Sequence, residues 1–467
     1  MKKILVFFAA AIILSAGVAF AEEGGLEIGL DYRFRIDSLE GTIHDYAQFT
    51  GFDASGNPTA QPTPGFDVKN DTIFMNRFGM NLKANPVEDV VMKARLLMYK
   101  ISGHQTSNPV LNGVFMDRFQ NMDGTSGHVP QDNVLRVDYA YATVNNVFDA
   151  PIWFSVGRRP STGGAPTNYR QNNEKMGTAG IPALLVDMAF DGMTLGYAPD
   201  IEALPGAYVK LCYGRGFDSG FQTDGESLKD TDFYGLNSAL YDDDKLHVEL
   251  QYQLGMNIFD APSDGMVADS TDPLSGVVTP GTSPVSANLG DIHWLGTVVT
   301  TKLASLNLFG SAAMSKTDPS GETTMGGMAS MLNNGPTFEK RTGYAFYVGG
   351  RYDMASTGTK IGVEYNHGTK NWIGMVPAGD DLWTSKLGAR GDVYEIYIIQ
   401  SLNRKAIAKK GEAFVRLGYQ LYDFEYTGSN SWIGGPTKIS DLNTGSMQFM
   451  APVEEAQDIY LTFDVRF

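Results

Sequence analysis

From Leu26 onward the chain alternates apolar and polar residues in long, separated runs. Leu26, Ile28, Leu30, Tyr32, Phe34 and Ile36 are interleaved with Glu27, Gly29, Asp31, Arg33, Arg35 and Asp37. Leu246, Val248, Leu250, Tyr252, Leu254 and Met256 repeat the pattern, and so do Ile459, Leu461, Phe463, Val465 and Phe467. Strand side chains point alternately to opposite faces, so each run forms a strand with one apolar and one polar side. A tilted strand of roughly 9–11 residues crosses a bilayer, and these runs are long enough. Such segments fall at 26–37, 71–84, 90–100, 134–144, 152–158, 185–198, 207–216, 231–241, 246–259, 291–302, 306–316, 342–353, 360–367, 391–402, 412–426 and 457–467. The pattern predicts sixteen strands. Splitting or merging one hairpin, at 185–198 (interrupted by Asp191-Gly192) or at 231–241, would give fourteen or eighteen.

The connections alternate as well. Asn85–Asp89, Asn145–Pro151, Pro199–Gly206, Asp242–Lys245, Leu303–Ser305, Met354–Thr357 and Asn403–Gly411 are short. Between them lie long segments rich in Gly, Ser, Thr, Asn and Pro, at 38–70, 101–133, 159–184, 217–230, 260–290, 317–341, 368–390 and 427–456. A compact soluble domain does not hold so many long loops. Hydrocarbon cannot satisfy backbone N–H and C=O groups, so strands persist there only in a closed sheet. The expectation is all-β: one transmembrane antiparallel β-barrel, apolar face to lipid, with short periplasmic turns and long outer loops. Sixteen strands leave an aqueous lumen.

The N-terminus carries Lys2 and Lys3, an apolar run from Ile4 to Val18, then Ala19-Phe20-Ala21. That reads as a cleaved export signal over 1–21, with the barrel over 22–467. The closing strand, ending on Phe467, resembles the C-terminal signal of outer-membrane barrels that the barrel assembly machinery reads. Both ends place the chain in a Gram-negative outer membrane, against lipid and lipopolysaccharide. Lys and Arg number 36 against 53 Asp and Glu, a net charge of −17, which argues against nucleic-acid partners. The single Cys212 makes no intramolecular disulfide, and without a CxxCH motif the chain carries no c-type haem. No cofactor and no metal site is expected. Of the six histidines, His44, His104, His128 and His367 fall in or beside outer loops, while His247 and His293 fall at opposite strand ends. The carboxylate pair Asp380-Asp381 reads as solvated loop charge. No nucleophile accompanies His367 at its strand end, so an enzyme is not expected.

The polar faces indicate what lines the lumen. Arg33, Arg35, Arg77, Lys93, Arg95, Arg136 and Arg159 lie on or beside the first five strands, and Arg416 and Arg466 on the last two. A closed barrel makes these neighbours, so they form one basic wall. That wall can set a transverse field across the pore and can pair with Asp31, Asp37, Asp138 and Asp464, and neither role excludes the other. Three stretches then resemble one known family: V-G-R-R-P-S-T-G-G-A-P from Val156, E-Y-N-H-G-T-K-N-W from Glu364 and R-G-D-V-Y-E-I-Y from Arg390. The family is a proteobacterial outer-membrane group of unknown function, porin-like, and the resemblance implies no catalytic residues. In sixteen-stranded porins the third outer loop folds inward, so by resemblance 159–184, with Arg158, Arg170 and Glu174, is the candidate constriction. The implied function is passive diffusion of small hydrophilic solutes or ions, with a homotrimer among the expected assemblies. The alternatives are a barrel sleeve for a partner cytochrome in transmembrane electron transfer, and a surface-anchored binding protein.

Overall fold

The computed structural model describes residues 25–103, 130, 132–160, 164–173, 176, 184–185, 188–220, 229–260, 270–271, 278–279, 287–402 and 411–467. The proposed leader 1–21 and Glu174 lie outside them. Sixteen strands close into one barrel in which each pairs with its sequence neighbours and the last returns to the first. They are β1 (Leu26–Ile43), β2 (Phe66–Val87), β3 (Val90–Ile101), β4 (Arg136–Val144), β5 (Ile152–Arg158), β6 (Asp191–Tyr197), β7 (Tyr208–Phe217) and β8 (Thr231–Asp242). They continue with β9 (Leu246–Phe259), β10 (Asn288–Leu303), β11 (Leu306–Pro319), β12 (Thr342–Met354), β13 (Thr359–Gly368), β14 (Gly391–Ser401), β15 (Glu412–Phe424) and β16 (Val453–Arg466).

The alternation places side chains as the pattern requires. On β16, Ile459, Leu461, Phe463 and Val465 are exposed on the outside, while Asp458, Tyr460, Thr462 and Asp464 are buried inside. Tyr394, Ile396 and Ile398 on β14 and Tyr344, Phe346 and Val348 on β12 continue the outer apolar belt. At the seam, β16 pairs antiparallel with β1, Phe463 opposite Phe34 and Asp464 opposite Arg33. Phe467 completes it: its N–H donates to Leu30 O at 3.0 Å, and its carbonyl accepts from Leu30 N–H at 3.1 Å.

Three elements depart from the alternation-based reading. β1 and β2 extend to Ile43 and back to Phe66, so much of the expected loop 38–70 is strand. Beyond them Tyr46–Phe52 and Pro58–Thr63 form a hairpin, joined in parallel by Met447–Gln448 of the last outer segment. Buried Leu39, Ile43 and Tyr46 pack with Leu382 and Trp383, which explains the extension: apolar residues continue the inner face above the polar part of the wall. β6 is shorter than 185–198. Leu184, Leu185, Met188 and Phe190 lie inside the barrel instead, clustered with Phe233 and Trp294, because their apolar surface is buried there without pairing in the sheet.

Inward aromatic rings lie flat on glycines of the adjacent strand. Gly418 pairs with Tyr460 and Gly362 with Tyr397. A Cβ at Gly418 would sit 2.2 Å from the Tyr460 ring and one at Gly362 2.1 Å from the Tyr397 ring. The Tyr460 ring also carries the Arg35 guanidinium at 4.3 Å and that of Arg416 at 5.1 Å. Overpacking a fitted site costs about 1–3 kcal/mol. Gly418→Val should therefore lower the temperature at which the folded, fast-migrating gel band converts to the unfolded one. An unchanged transition would mean the ring is not held against the glycine.

Candidate functional site

Among the described residues, besides the stretch around Leu185 and Phe190, two outer segments enter the lumen. The first is Thr167–Asn173 of the third outer loop, beginning with a single helical turn over Thr167–Arg170. Arg170 is the expected inward residue: its Nη2 donates to Asp381 at 2.6 Å and its Nε lies 2.9 Å from Glu395 on β14. The backbone docks too, with Arg416 Nη1 donating to Arg170 O at 2.6 Å and Arg351 Nη1 to Tyr169 O at 2.7 Å. Arg466 Nη1 donates to Asn173 Oδ1 at 2.6 Å and Lys360 Nζ to Asn172 Oδ1, also at 2.6 Å. Arg158 stays at the end of β5, on Asp138 O at 3.2 Å and beside Asp191 at 3.8 Å.

The second segment, between β13 and β14, does not match its expected role. Trp372, Ile373, Met375, Val376, Leu382, Trp383, Lys386 and Leu387 are buried inside the barrel. Trp372 Nε1 donates to Leu387 O at 2.7 Å and Trp383 Nε1 to Gln457 O at 2.9 Å. Asp380-Asp381 is therefore not solvated loop charge. Tyr99 OH donates to Asp380 at 3.0 Å, and Arg33 pairs with the same carboxylate. Arg416, Arg77 and Arg35 stand 3.6, 3.8 and 4.0 Å from it. Burial alone would raise this carboxyl, but the guanidiniums of Arg33, Arg77, Arg35 and Arg416 outweigh it and hold Asp380 well below the usual carboxylate range. Lys386 joins Glu364 and Glu395, the latter at 2.6 Å, and Tyr347 OH donates to Glu364 at 2.6 Å. The sequence signal for this placement was the cluster of Trp, Ile, Met, Val and Leu in a supposed surface loop.

The basic wall is consequently a paired wall. Arg33 Nε donates to Asp464 at 2.6 Å, while Arg35 joins Asp37 at 2.5 Å and Asp458 at 3.1 Å. Arg95 holds Asp31 at 2.9 Å and stands 3.6 Å from Asp138. Arg33, Arg35 and Arg416 are withdrawn from water, whereas Arg77 and Arg95 keep about a quarter of their side-chain surface, 23% each. Arg136 binds Asp132 at 2.6 Å, just before β4, rather than lining the mid-lumen. Pairing engages most of these arginines, and it extends to Asp380 and Asp458, which sequence reasoning did not name as partners.

Away from these segments a recess opens on the wall formed by β5 to β9. Arg159, Thr194, Lys210, Cys212, Gln251 and Gln253 line it. Arg159 stacks 5.1 Å from the Tyr141 ring centroid, and its charge interacts with those of Lys93 and Lys210. Lys210 on β7 is buried and was not singled out from the sequence. Among the described residues no group of three or more His, Cys, Asp or Glu is arranged to hold a metal ion. His247 meets Glu249 at 3.1 Å, while His293 bonds Tyr252 OH at 2.7 Å toward the other end of the strands. His367 Nδ1 lies 2.9 Å from Asp392.

Solved structures of similar barrels span nearly the whole chain. The trimer form of OmpT of Vibrio cholerae shares 13% identity over 95% of this chain and 99% of its own, with a TM-score of 0.43. The anion-selective porin from Comamonas acidovorans shares 10% over 95% and 100%, TM-score 0.46. OprB of Pseudomonas putida shares 11% over 96% of each chain, TM-score 0.45. No curated protein matches the chain. One family model, described as Protein of unknown function (DUF3373), matches residues 67–467, and the chain belongs to that family.

Proposed function

We propose that this barrel is an outer-membrane channel through which small hydrophilic solutes or ions pass by passive diffusion. The observation that carries the reading is a closed sixteen-stranded barrel whose inner face is polar on strand after strand. Barrels of this size leave an aqueous lumen unless their own segments fill it. Here Thr167–Asn173 and Trp372–Ala389 bond chiefly to β1, β2 and β10 to β16, and Leu184, Leu185, Met188 and Phe190 pack against β8 to β10, so the chain's own segments narrow the path from more than one side. In this reading residues 1–21 are removed on export, the outer belt contacts lipid and lipopolysaccharide, and the strand ending at Phe467 is what the assembly machinery reads. A homotrimer is the proposed assembly.

One observation favours the surface-anchor reading as second. An apolar cluster that includes Trp294, Phe259, Trp372 and Trp432 narrows the lumen, and an ordered three-stranded sheet stands on the outer loops. The cytochrome sleeve fits less well, because the chain's own segments occupy the space a partner would need. Purified protein in planar bilayers decides between them. Discrete, ohmic single-channel currents are the expected result. A correctly folded barrel that passes no current overturns the channel and leaves the anchor.

A further inference from the structure

The luminal segment 369–390 is held from the outer side by residues 429–432 of the last outer segment, between β15 and β16. Asn430 is the centre of the contact. Its Oδ1 accepts from Met375 N–H at 2.7 Å, its Nδ2 donates to Val376 O at 2.7 Å, and its own N–H donates to Gly388 O at 3.0 Å. A Cβ at Gly388 would lie 2.5 Å from Asn430 Cγ, so the glycine is what admits the amide. Arg390 closes the same joint. Its N–H donates to Ser429 Oγ at 2.9 Å, and its guanidinium donates to Trp372 O and Thr427 O, each at 3.0 Å, and to Ser431 O. Trp432 carries the connection outward, with Nε1 donating to Phe259 O at 2.6 Å and its carbonyl accepting from Leu332 N–H at 2.8 Å. The stretch thus ties the luminal segment to the outer end of β9 and to the segment between β11 and β12.

This joint is tight but costly to hold. Met375, Asn430 and Leu332 are buried, with φ of 49°, 60° and 52°. Asparagine tolerates this left-handed region, whereas methionine and leucine enter it at a cost. Such strain persists only where the surroundings over-determine it, and it gathers at clamps and switches. Arg390 adds a second cost. It is buried, and among the described residues no carboxylate pairs with it, so burial pushes its guanidinium down to about 9. Releasing the joint returns that cation to water and relaxes two backbones, which offsets part of the hydrogen bonding lost. Opposed contributions of this kind are what a two-state element needs. We propose that residues 429–432 are a latch through which the outer loops hold 369–390 in the lumen, so that the channel is opened from the cell surface. Gating rests on the channel reading; the latch does not.

Amide hydrogen exchange on the purified, detergent-folded barrel is the test, since it needs no current. In the wild type the amides of 372–388 should exchange together, and faster than those of β14, as one opening unit. Asn430→Gly keeps the left-handed backbone without strain and deletes both side-chain bonds. It should speed exchange across 372–388 about tenfold or more, ~1.4 kcal/mol of opening free energy, and leave β14 and β15 unchanged. Gly388→Ala blocks the amide from the luminal side and should act in the same direction. Trp432→Phe removes the bond to Phe259 O and should give a smaller increase. In bilayers Asn430→Gly should lengthen the large openings. Uncorrelated exchange in the wild type, an unchanged rate in any folded variant, or an equal rise in β14 and β15 would overturn the proposal. The wild-type measurement decides by itself if the variants do not fold. Faster exchange in a barrel that passes no current sinks the channel and keeps the latch. A conducting barrel with unchanged exchange does the reverse.

Discussion

Asp380→Asn should turn a quiet channel into one that opens in frequent large bursts and favours anions more strongly. The Asp380 carboxylate lies among Arg33, Arg35, Arg77 and Arg416, which reach it from strands on both sides of the barrel seam. Removing one partner from a buried ion pair costs about 3–5 kcal/mol, because the opposite charge is left without compensation. Applied to docking of the inward segment, that is a factor of about 10² or more in the docked-to-released ratio. Docking would not vanish, since Asp381, Lys386 and the two tryptophans keep their contacts. The selectivity sign follows from charge: the substitution removes one negative charge from among four guanidiniums, of which Arg33 keeps Asp464 and Arg35 keeps Asp37 and Asp458. Asp380→Glu keeps the charge and should restore most of the quiet behaviour. Bilayer recordings with a salt gradient measure both effects, and an unchanged conductance with an unchanged reversal potential would contradict the role given to Asp380.

Replacing 369–390 by a short Gly-Ser turn should raise conductance further, and by more than removing 159–184. Third-loop porin analogy alone gives the opposite ranking. Trp372, Ile373, Met375, Val376, Leu382 and Trp383 all lie in the lumen, whereas the described part of 159–184 places Thr167–Asn173 and Leu184 there. The deletion also frees Glu364 and Glu395 from Lys386, so those carboxylates oppose the anion preference on one side of the pore. Heat-modifiable gel mobility confirms that each shortened barrel is folded before conductance is compared. A larger gain from the third-loop deletion would show that the β13 to β14 segment is not the main obstruction.

What alternation reveals, and what it hides, differs sharply between wall and lumen. β16 was legible because its neighbours impose a period of two on residues 453 to 466, and lipid on one side leaves no latitude for polar residues there. The inner surface obeys no such period. Arg33 and Asp380 are 347 positions apart, and nothing local to Asp380-Asp381 distinguishes a buried acidic pair from a solvated one. The neighbouring tryptophans did carry the information, as large apolar residues in a loop are costly to leave in water. Leu184, Leu185, Met188 and Phe190 misled for the converse reason. An apolar run buried in a lumen looks, by composition, like one buried in a sheet. Lys210 was passed over because one lysine among glycines and aromatics on 207–216 gives no clue that Arg159 comes near it.

The position of the seam has a consequence for the order of assembly. Arg33 and Asp464 face each other across it from 431 positions apart, so β1 and β16 stand at the two ends of a sheet built from sequence neighbours until that sheet closes. The Asp380 carboxylate needs Arg33 and Arg35 from β1 on one side and Arg416 from β15 on the other, with β16 between them. Its receptor does not exist in an open sheet. The inward segment therefore docks only after closure, and once docked it ties the two sides together from within. Its arrival records that the barrel is complete, and the joint it secures is the one between the two ends of the chain.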